Sequence, residues 1–206
     1  MEIPGRTRPV DNPFVTHAQE YDRWFDTCGE LFRLQQDFIR LFLLPGSGRI
    51  LEIGCGSGRF SVALGILFGI DLSLPLCTMA YQRGVRVVLG DGEALPFQKY
   101  CFSQIFLITV LEVVTDPEKV LNEACMSLVP GGSLIVVFLD TGSEMGRRYE
   151  RERVTSTFLS HARLFSRSDI RILLEKAGYR IVTFRSSAGL LLVSAKSRRI
   201  NPENER

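Results

Sequence analysis

The chain has 206 residues, of which 45% are hydrophobic and 23% charged, and its 25 basic and 23 acidic side chains give a net charge of +2. This length corresponds to one ordinary domain, and the composition argues against a disordered, collagen-like or strongly acidic chain. Such a small net charge provides no electrostatic attraction for nucleic acid or for an anionic membrane. We therefore expect neither as a partner.

Cysteine and histidine are the side chains that would indicate a disulfide scaffold or a zinc site. The chain has two histidines, and its five cysteines form no C-x-x-C pair: Cys28, Cys55, Cys77, Cys101 and Cys125. An odd number of widely spaced cysteines favours free thiols in a reducing compartment. We expect no metal site and a cytoplasmic location.

The N-terminal part of the chain predicts helices. Residues 1–13 are interpreted as a loose leader, because no apolar segment of a secretory signal follows their basic side chains. Residues 14–25 and 31–43 carry apolar side chains at helical spacing. We expect a single domain with a helical cap over 14–44, a core over 45–196 and a polar tail over 197–206.

The core alternates short apolar runs with helical segments. The runs with strand character are 49–53, 66–70, 85–89, 102–108 and 133–139, followed by 179–184 and 190–195, which are close enough to form a hairpin. Strands that are separated by helices predict a parallel sheet with right-handed crossovers. The predicted class is α/β, with helices on both faces and an antiparallel pair at the end.

One apolar window is long enough to be mistaken for a membrane span. Residues 62–80 contain a single charged side chain, Asp71, and about 18 apolar residues can span a bilayer. Gly65, Gly69 and Pro75 interrupt the window, and a charge at the centre of a span costs about 2.5–3.5 kcal/mol. We expect the window to divide into the end of a helix, a buried strand and the start of another helix.

The first junction between a strand and a helix carries three alternate glycines, Gly54, Gly56 and Gly58. Glycines at such spacing let the backbone turn tightly and let a ligand lie against it. Ligands of open parallel sheets bind at the carboxyl ends of the strands, where the strand order reverses. The spacing differs from the glycine motifs of dinucleotide and phosphate loops. The junction is a candidate ligand site, and a turn that only packs is the alternative.

Several motifs follow one another in a fixed order along the chain. They are H-A-Q-E-Y-D-R-W-F (17–25), E-I-G-C-G-S-G (52–58), G-I-D-L-S (69–73), G-D-G-E-A-L-P-F (90–97), L-E-V-V-T-D-P-E-K-V-L-N-E (111–123) and L-V-P-G-G-S-L (128–134). Together they resemble the class I S-adenosylmethionine-dependent methyltransferases of the small-molecule type. The resemblance implies a Rossmann-like sheet of order 3-2-1-4-5-7-6 and S-adenosylmethionine as the cofactor.

The resemblance also implies roles for individual residues. Asp71 would accept hydrogen bonds from the ribose hydroxyls, and Asp91 from the adenine amino group, with the backbone of Gly92 and Glu93 facing the ring. Glu52 would steady the glycine loop near the methionine part. The other implied contacts with the cofactor are Gly54, Cys55, Gly56, Gly58, Leu72, Leu107, Ile108 and Tyr21. Each of three residues also has an alternative role that is only structural. Asp71 could lie at a helix N-terminus, Asp91 could stabilise a turn, and Tyr21 could pack within the cap.

The sequence departs from the family pattern at three places. The interval from Gly58 to Asp71 is 13 residues, which predicts a first helix that is a turn short. Ser103 stands where the family usually has an aspartate, and Val113 where many members have a histidine. Serine at position 103 removes a structural carboxylate. Valine at position 113 removes a candidate for a base or for a contact with the substrate.

No motif identifies a general base. Methyl transfer from a sulfonium ion is an in-line displacement that relies on alignment and on exclusion of water, so a base is optional. The candidates are Glu112 beside the expected methyl position, Asp140 after the fifth strand, His17 in the cap and His161 in an insertion. We expect this insertion, residues 141–163, to form part of a substrate lid.

The predicted function is transfer of a methyl group to a small-molecule acceptor. A non-catalytic protein that binds S-adenosylmethionine or another partner is the alternative, because the family histidine and a compelling base are both absent. Methylation of RNA or protein gains no support from a net charge of +2. The acceptor and the oligomeric state depend on surfaces that no short motif specifies.

Overall fold

In a computed structural model that describes residues 12–44, 46, 48–160 and 162–199, the chain forms a seven-stranded sheet with helices packed against it. The strands are β1 (Ile50–Ile53), β2 (Phe68–Asp71), β3 (Arg86–Leu89), β4 (Phe102–Ile108), β5 (Leu128–Leu139), β6 (Tyr179–Ser187) and β7 (Leu190–Ser197). The helices are α1 (Pro13–Thr16), α2 (Ala18–Thr27), α3 (Gly29–Arg40), α4 (Arg59–Leu64), α5 (Leu74–Gln82), α6 (Pro117–Ser127), α7 (Glu144–Glu152) and α8 (Arg167–Lys176). Most of the predicted leader and tail lies outside the described residues.

The strands lie in the order β3-β2-β1-β4-β5-β7-β6. β7 runs antiparallel to both of its neighbours, and the other pairs are parallel. The predicted α/β class, the strand order and the antiparallel pair are confirmed. The direction of winding reverses between β1 and β4, and ligands of such sheets bind at the carboxyl ends of the strands beside this point.

The strand boundaries differ from the prediction mainly in β5 and in the hairpin. β5 begins at Leu128 because this residue pairs with Phe102 before a shift in register. β6 and β7 are joined by Ala188 and Gly189 alone, with φ angles of 50° and 76°. Positive φ at both central residues is what a type I′ turn requires, and this turn matches the twist of the strands. The hairpin loop is therefore shorter than the apolar pattern predicts.

The apolar window at residues 62–80 forms three separate elements. It contains the end of α4, all of β2 and most of α5. Gly65, with a φ of 73°, ends α4 after six residues, in agreement with the short interval before Asp71. Within the described part of the chain, no helix is both long and apolar enough to cross a membrane.

The sheet separates two apolar layers. Successive residues of β4 alternate between them, with Ile105 and Leu107 on the side of α6 and α8 and Phe106 and Ile108 on the side of α3 and α4. This alternation explains why the strand is an unbroken apolar run, because both of its faces are covered. Burial of each such side chain contributes about 1.5–3 kcal/mol.

A cluster of charged side chains holds the cap on the core. Asp22 of α2 accepts hydrogen bonds from Ser57 Oγ at 2.5 Å, Arg59 Nε at 2.9 Å and Arg83 Nη2 at 2.7 Å. Arg59 also pairs with Asp26 at 2.6 Å. Burial raises the pKa of Asp22, but the hydrogen bonds from Arg59, Ser57 and Arg83 outweigh it, so the pKa lies well below its ordinary value. The carboxylate of Asp22 therefore fastens α2 to the start of α4 and the end of α5.

Replacement of Asp22 by asparagine should destabilise the protein in a pH-dependent manner. The pKa of Asp22 is depressed in the folded state, so its stabilising contribution is present above the unfolded-state pKa of about 3.9 and is lost as the pH falls through the folded-state value. At neutral pH, Asp22→Asn should lower the free energy of unfolding by about 1–3 kcal/mol. Urea unfolding at several pH values measures the free energy of unfolding of the variant and of the wild type. The difference between these two free energies should become smaller below pH about 4.

Asp26→Asn is the matched control, because Asp26 also pairs with Arg59 but its side chain is 64% exposed. Solvent screens an exposed ion pair, so this variant should lose less stability than Asp22→Asn. Equal losses in the two variants, or a loss at Asp22 that does not change with pH, would contradict the interpretation.

Candidate functional site

The turn between β1 and α4 is held by the end of β2. The N–H of Gly54 donates to the carbonyl of Ile70 at 2.8 Å, and the N–H of Gly56 donates to Asp71 Oδ2 at 2.8 Å. Gly54, Gly56 and Gly58 have φ angles of 68°, 53° and 79°, which glycine adopts without steric cost. The backbone of the turn therefore lies directly against the end of the neighbouring strand.

Side chains pack tightly around this turn. A Cβ atom on Gly56 would lie 3.2 Å from the ring of Tyr21, and one on Gly69 would lie 2.7 Å from Cys55 Sγ. The thiol of Cys55 is buried, and its burial raises the pKa. The side chain of Cys55 thus fills space beneath the turn.

Asp71 ends β2 and uses each carboxylate oxygen to hold a backbone group. Its Oδ2 accepts the N–H of Gly56, and its Oδ1 accepts the N–H of Ser73, both at 2.8 Å. Burial raises the pKa of Asp71, and the backbone N–H groups of Ser73, Gly56 and Leu72 oppose this effect. A carboxylate has about four acceptor positions, so capacity remains for hydroxyl donors. The side chain of Leu72 beside it is 59% exposed.

The loop after β3 reaches the same edge of the sheet. Asp91 Oδ1 accepts the N–H of Glu93 at 2.8 Å. A Cβ atom on Gly92 would lie 2.9 Å from the side chain of Ile53, so the backbone packs closely on the end of β1. The carboxylate of Glu93 accepts the N–H of Asp116, the residue that caps α6, at 2.9 Å. The Glu93 side chain therefore braces this loop against α6.

Glu52 lies within β1 and is buried beneath the glycine turn. The hydroxyl of Ser61 in α4 donates to Glu52 Oε2. Burial raises the pKa of Glu52 to about 8; the Ser61 hydrogen bond lowers the pKa, and the nearby charge of Asp71 raises it. The side chain of Glu52 therefore links the strand to the helix that follows the turn.

The cap and the insertion meet over the glycine turn. The ring of Tyr21 lies 5.3 Å from that of Phe14 and 5.6 Å from that of Phe158 in the insertion. The hydroxyl of Ser73 donates to the carbonyl of Phe14 at 2.7 Å, which ties α1 to the residues after β2. These contacts cover the turn with aromatic side chains from two separate segments.

The end of β4 has an unusual backbone conformation. Leu107 and Ile108 are buried, and the next residue, Thr109, has a φ of 52°. Its N–H donates to the carbonyl of Val137 and its Oγ1 to the carbonyl of Ile108, both at 2.8 Å. Positive φ at a β-branched residue is a rare, strained conformation that is often found at functional sites. Because neither glycine nor asparagine stands here, the sequence contains no signal of this strain.

Glu112 lies between the ends of β4 and β5. Its Oε1 accepts the N–H of Leu139 at 2.9 Å, whereas its buried Oε2 has no hydrogen-bond partner among the described residues. Burial raises the pKa of Glu112 to about 7, although the Leu139 N–H opposes the rise. The N–H of Arg163 donates to the carbonyl of Glu112 at 2.7 Å. The end of the insertion therefore contacts the backbone of this residue.

The other proposed bases are placed differently. Asp140 follows β5, and its two carboxylate oxygens accept hydrogen bonds from the N–H of Gly142 and the hydroxyl of Ser186. The side chain of His17 is exposed between α1 and α2, and its Nδ1 lies 2.8 Å from the hydroxyl of the preceding threonine. His161 lies outside the described residues. In the described ranges, no group of three or more His, Cys, Asp or Glu side chains could hold a metal ion.

A cavity of about 480 Å³ opens beside Asp140, between the carboxyl ends of β5 and β6 and the start of α8. Its lining includes the apolar side chains of Phe165, Phe184 and Leu191 and the polar side chains of Thr141, Arg185 and Ser186. This cavity could not be predicted from a local motif, because its walls come from residues 140–142, residues 165–167 and the β6–β7 hairpin, which are distant from one another in the chain.

Known proteins match different lengths of this chain. The family model for a methyltransferase domain matches residues 51–136. An uncharacterized protein of Methanocaldococcus jannaschii is 33% identical over 169 residues, which is 82% of each chain. A probable tRNA methyltransferase 9B of Mus musculus is 30% identical over 115 residues, which is 53% of this chain but 25% of that protein.

A solved structure also matches most of this chain. It is an S-adenosylmethionine-dependent methyltransferase from Thermotoga maritima, named as a possible histamine N-methyltransferase, and it is 31% identical with a TM-score of 0.80. The alignment covers 89% of this chain and 98% of that one. The sheet order, the glycine turn and these matches confirm the resemblance that the motifs indicate. The chain belongs to the class I S-adenosylmethionine-dependent methyltransferases.

Proposed function

We propose that this methyltransferase acts on a small-molecule acceptor. The observation that carries the proposal is the cavity of about 480 Å³ beside Asp140, because sites for small ligands have volumes of about 300–1,000 Å³. Asp140, which lines the cavity, directly follows Leu139, and the N–H of Leu139 donates to Glu112. The name of the Thermotoga maritima relative supports a small acceptor. A tRNA acceptor is less well supported, because the net charge of +2 provides little attraction for RNA.

The residues present fit S-adenosylmethionine at the carboxyl ends of β1, β2 and β3. Asp71 would accept the ribose hydroxyls, and two features support this role: its carboxylate only accepts hydrogen bonds, and it retains acceptor capacity. Leu72 would pack on the adenine ring, which would account for an exposed leucine beside a partly buried aspartate. Asp91 would accept the adenine amino group, with the backbone of Gly92 and Glu93 facing the ring. The proposed contacts with the methionine part are Glu52, Gly54, Cys55, Gly56, Gly58, Leu107 and Ile108.

When bound, the cofactor supplies a methyl carbon attached to positively charged sulfur. The chain then has to align the acceptor and exclude water, and both contribute to such displacements. Tyr21 and Phe158, which meet over the glycine turn, are placed to exclude water. Asp22 follows Tyr21 on α2, so its hydrogen bonds with Ser57 and Arg59 hold this cover in position. We propose that the cap and residues 141–163 form the lid of one catalytic domain.

Leu72→Ser should weaken binding of S-adenosylhomocysteine about tenfold, which corresponds to about 1.4 kcal/mol. The exposed leucine would lose its contact with the adenine ring, whereas the fold would lose little. Asp71→Asn should weaken binding further, because an amide has a single acceptor oxygen. Isothermal titration calorimetry measures the affinity, and thermal unfolding reports on the fold. Val182→Ser, at a residue of β6 that is 55% exposed, should leave the affinity unchanged.

Absence of binding by the wild-type chain would overturn the proposed cofactor role. If the wild type binds and both variants retain its affinity, then the cofactor does not lie at the end of β2 as proposed here.

A bulky side chain in the cavity should block the acceptor and spare the cofactor. Thr141→Trp should lower kcat/KM for a small acceptor at least tenfold without changing the affinity for S-adenosylhomocysteine. Mass spectrometry would follow methylation of a panel of amines, phenols, thiols, carboxylates and total tRNA. Ile172→Trp, on the exposed side of α8, is the control of equal size. Methylation of tRNA without methylation of any small molecule would contradict the proposed acceptor class.

A further inference from the structure

One of the two carboxyl oxygens of Glu112 has a hydrogen-bond partner and the other has none among the described residues. Leu139 donates to Oε1, whereas Oε2 is buried without a donor among the described residues. A buried carboxylate oxygen without a hydrogen bond is destabilising, and the large majority of buried polar atoms have a partner. The free oxygen is therefore a position at which a ligand could supply the missing donor.

The fold places this oxygen where the reaction would occur. Glu112 follows β4, the strand beside the reversal of winding, and its hydrogen bond joins it to the last residue of β5. Asp140, the residue after Leu139, lines the cavity that we propose for the acceptor. The segment at Arg163 contacts the backbone of Glu112. Glu112 does not line this cavity and its Oε2 is buried, so the inference requires the segment at Arg163 to move when the acceptor binds.

A purely structural role explains only one of the two oxygens. Glutamine at 112 would accept the N–H of Leu139 equally well and would place no charge in the interior. A buried carboxyl group is normally either paired with a positive charge or protonated and neutral, and a pKa near 7 lets Glu112 exchange between the charged and neutral forms. The carboxyl group of Glu112 receives the backbone N–H of Leu139, and its own backbone N–H also lowers its pKa, whereas Arg163 donates to the main-chain carbonyl of Glu112. The site therefore has a carboxylate for which the chain supplies no described cationic contact.

We infer that the acceptor is a primary or secondary amine and that Glu112 is the catalytic residue that takes its proton. An ammonium ion supplies both the positive charge and the N–H donor that Oε2 lacks. An ionised carboxylate acceptor would supply neither and would be repelled. The inference rests on the proposed methyl transfer, and it specifies the acceptor class of that same site.

The proton and electrons balance within the proposed reaction. The ammonium group first passes a proton to Glu112 Oε2, which frees the lone pair of the nitrogen. This lone pair forms the bond to the methyl carbon, while the carbon–sulfur bond breaks and its electron pair stays on sulfur. The products are a methylated ammonium ion, the neutral thioether and a protonated Glu112, which returns its proton to solvent. The raised pKa of Glu112 suits such an exchange near neutral pH.

The test uses the full chain and Glu112→Gln, which keeps the acceptor for Leu139 and removes the proton acceptor. The probes are arylalkylamines such as 2-phenylethylamine, each compared with its matched alcohol, thiol and carboxylate. We expect amines to be methylated by the wild type and kcat to fall by about 10²-fold or more in Glu112→Gln, the range expected for loss of a general base. Glu112→Asp, which retains a carboxylate, should be more active than Glu112→Gln.

Binding provides a readout that does not depend on turnover. With S-adenosylhomocysteine present, Glu112→Gln should weaken calorimetric binding of the amine at least tenfold and leave binding of the matched alcohol unchanged. Thermal unfolding shows whether the variant remains folded. Glu123→Gln is the matched control, because Glu123 also accepts a backbone N–H, from Leu95 at 3.0 Å, and should behave as wild type.

The outcomes separate this inference from the proposed function. Methylation of an alcohol, thiol or carboxylate but of no amine would overturn the amine inference and retain the methyltransferase proposal. Amine methylation at the wild-type rate by folded Glu112→Gln would overturn the role of Glu112. Cofactor binding without methylation of any amine also counts against the inference, whereas absence of cofactor binding would overturn the proposed function itself.

Discussion

The contact between the turn after β1 and the end of β2 determines the geometry of the whole site. Backbone N–H groups of Gly54 and Gly56 donate directly to the end of β2, and both residues have the positive φ that glycine adopts without steric cost. The same contact orients Asp71 at the carboxyl edge and sets the start of α4. Because α4 begins there, Arg59 can reach Asp22 and hold the cap over the turn. One backbone constraint thus places both Asp71, the candidate acceptor for the ribose hydroxyls, and the helical cap above the turn.

The features that could be predicted from the sequence have local causes. The unbroken apolar run of β4 indicates a strand covered on both faces, and Gly65 and Pro75 mark the places where the window at 62–80 divides. Turn residues and apolar periodicity act over a few positions, so they predict elements and their order well. The interval between Gly58 and Asp71 likewise predicts a short α4, which has six residues. The ordered motifs then identify the family.

The features that could not be predicted depend on contacts between distant parts of the chain. Asp22 meets Arg59 and Arg83 across 37 and 61 residues, and charge patterning along the sequence does not select these partners. The strained conformation of Thr109 accompanies a hydrogen bond to Val137 of β5, so tertiary structure overrides the local preference of a β-branched residue. The cavity also depends on segments that are distant from one another in the chain, which explains why the acceptor site is harder to predict than the glycine turn.

Three buried or partly buried carboxyl groups at this edge show how one chemical group acquires different tasks. Glu52 receives a hydroxyl from Ser61 and links a strand to a helix, and Asp71 receives two backbone N–H groups and fixes a turn. Burial raises the pKa of all three carboxyls, so burial alone does not distinguish a catalytic group from a structural one. The distinction lies in hydrogen-bond satisfaction, because Glu112 retains a buried oxygen without a described donor. Among the described residues, Glu112 is thus the carboxyl group with a buried oxygen that lacks a donor, and this is why we propose that its donor arrives with the acceptor.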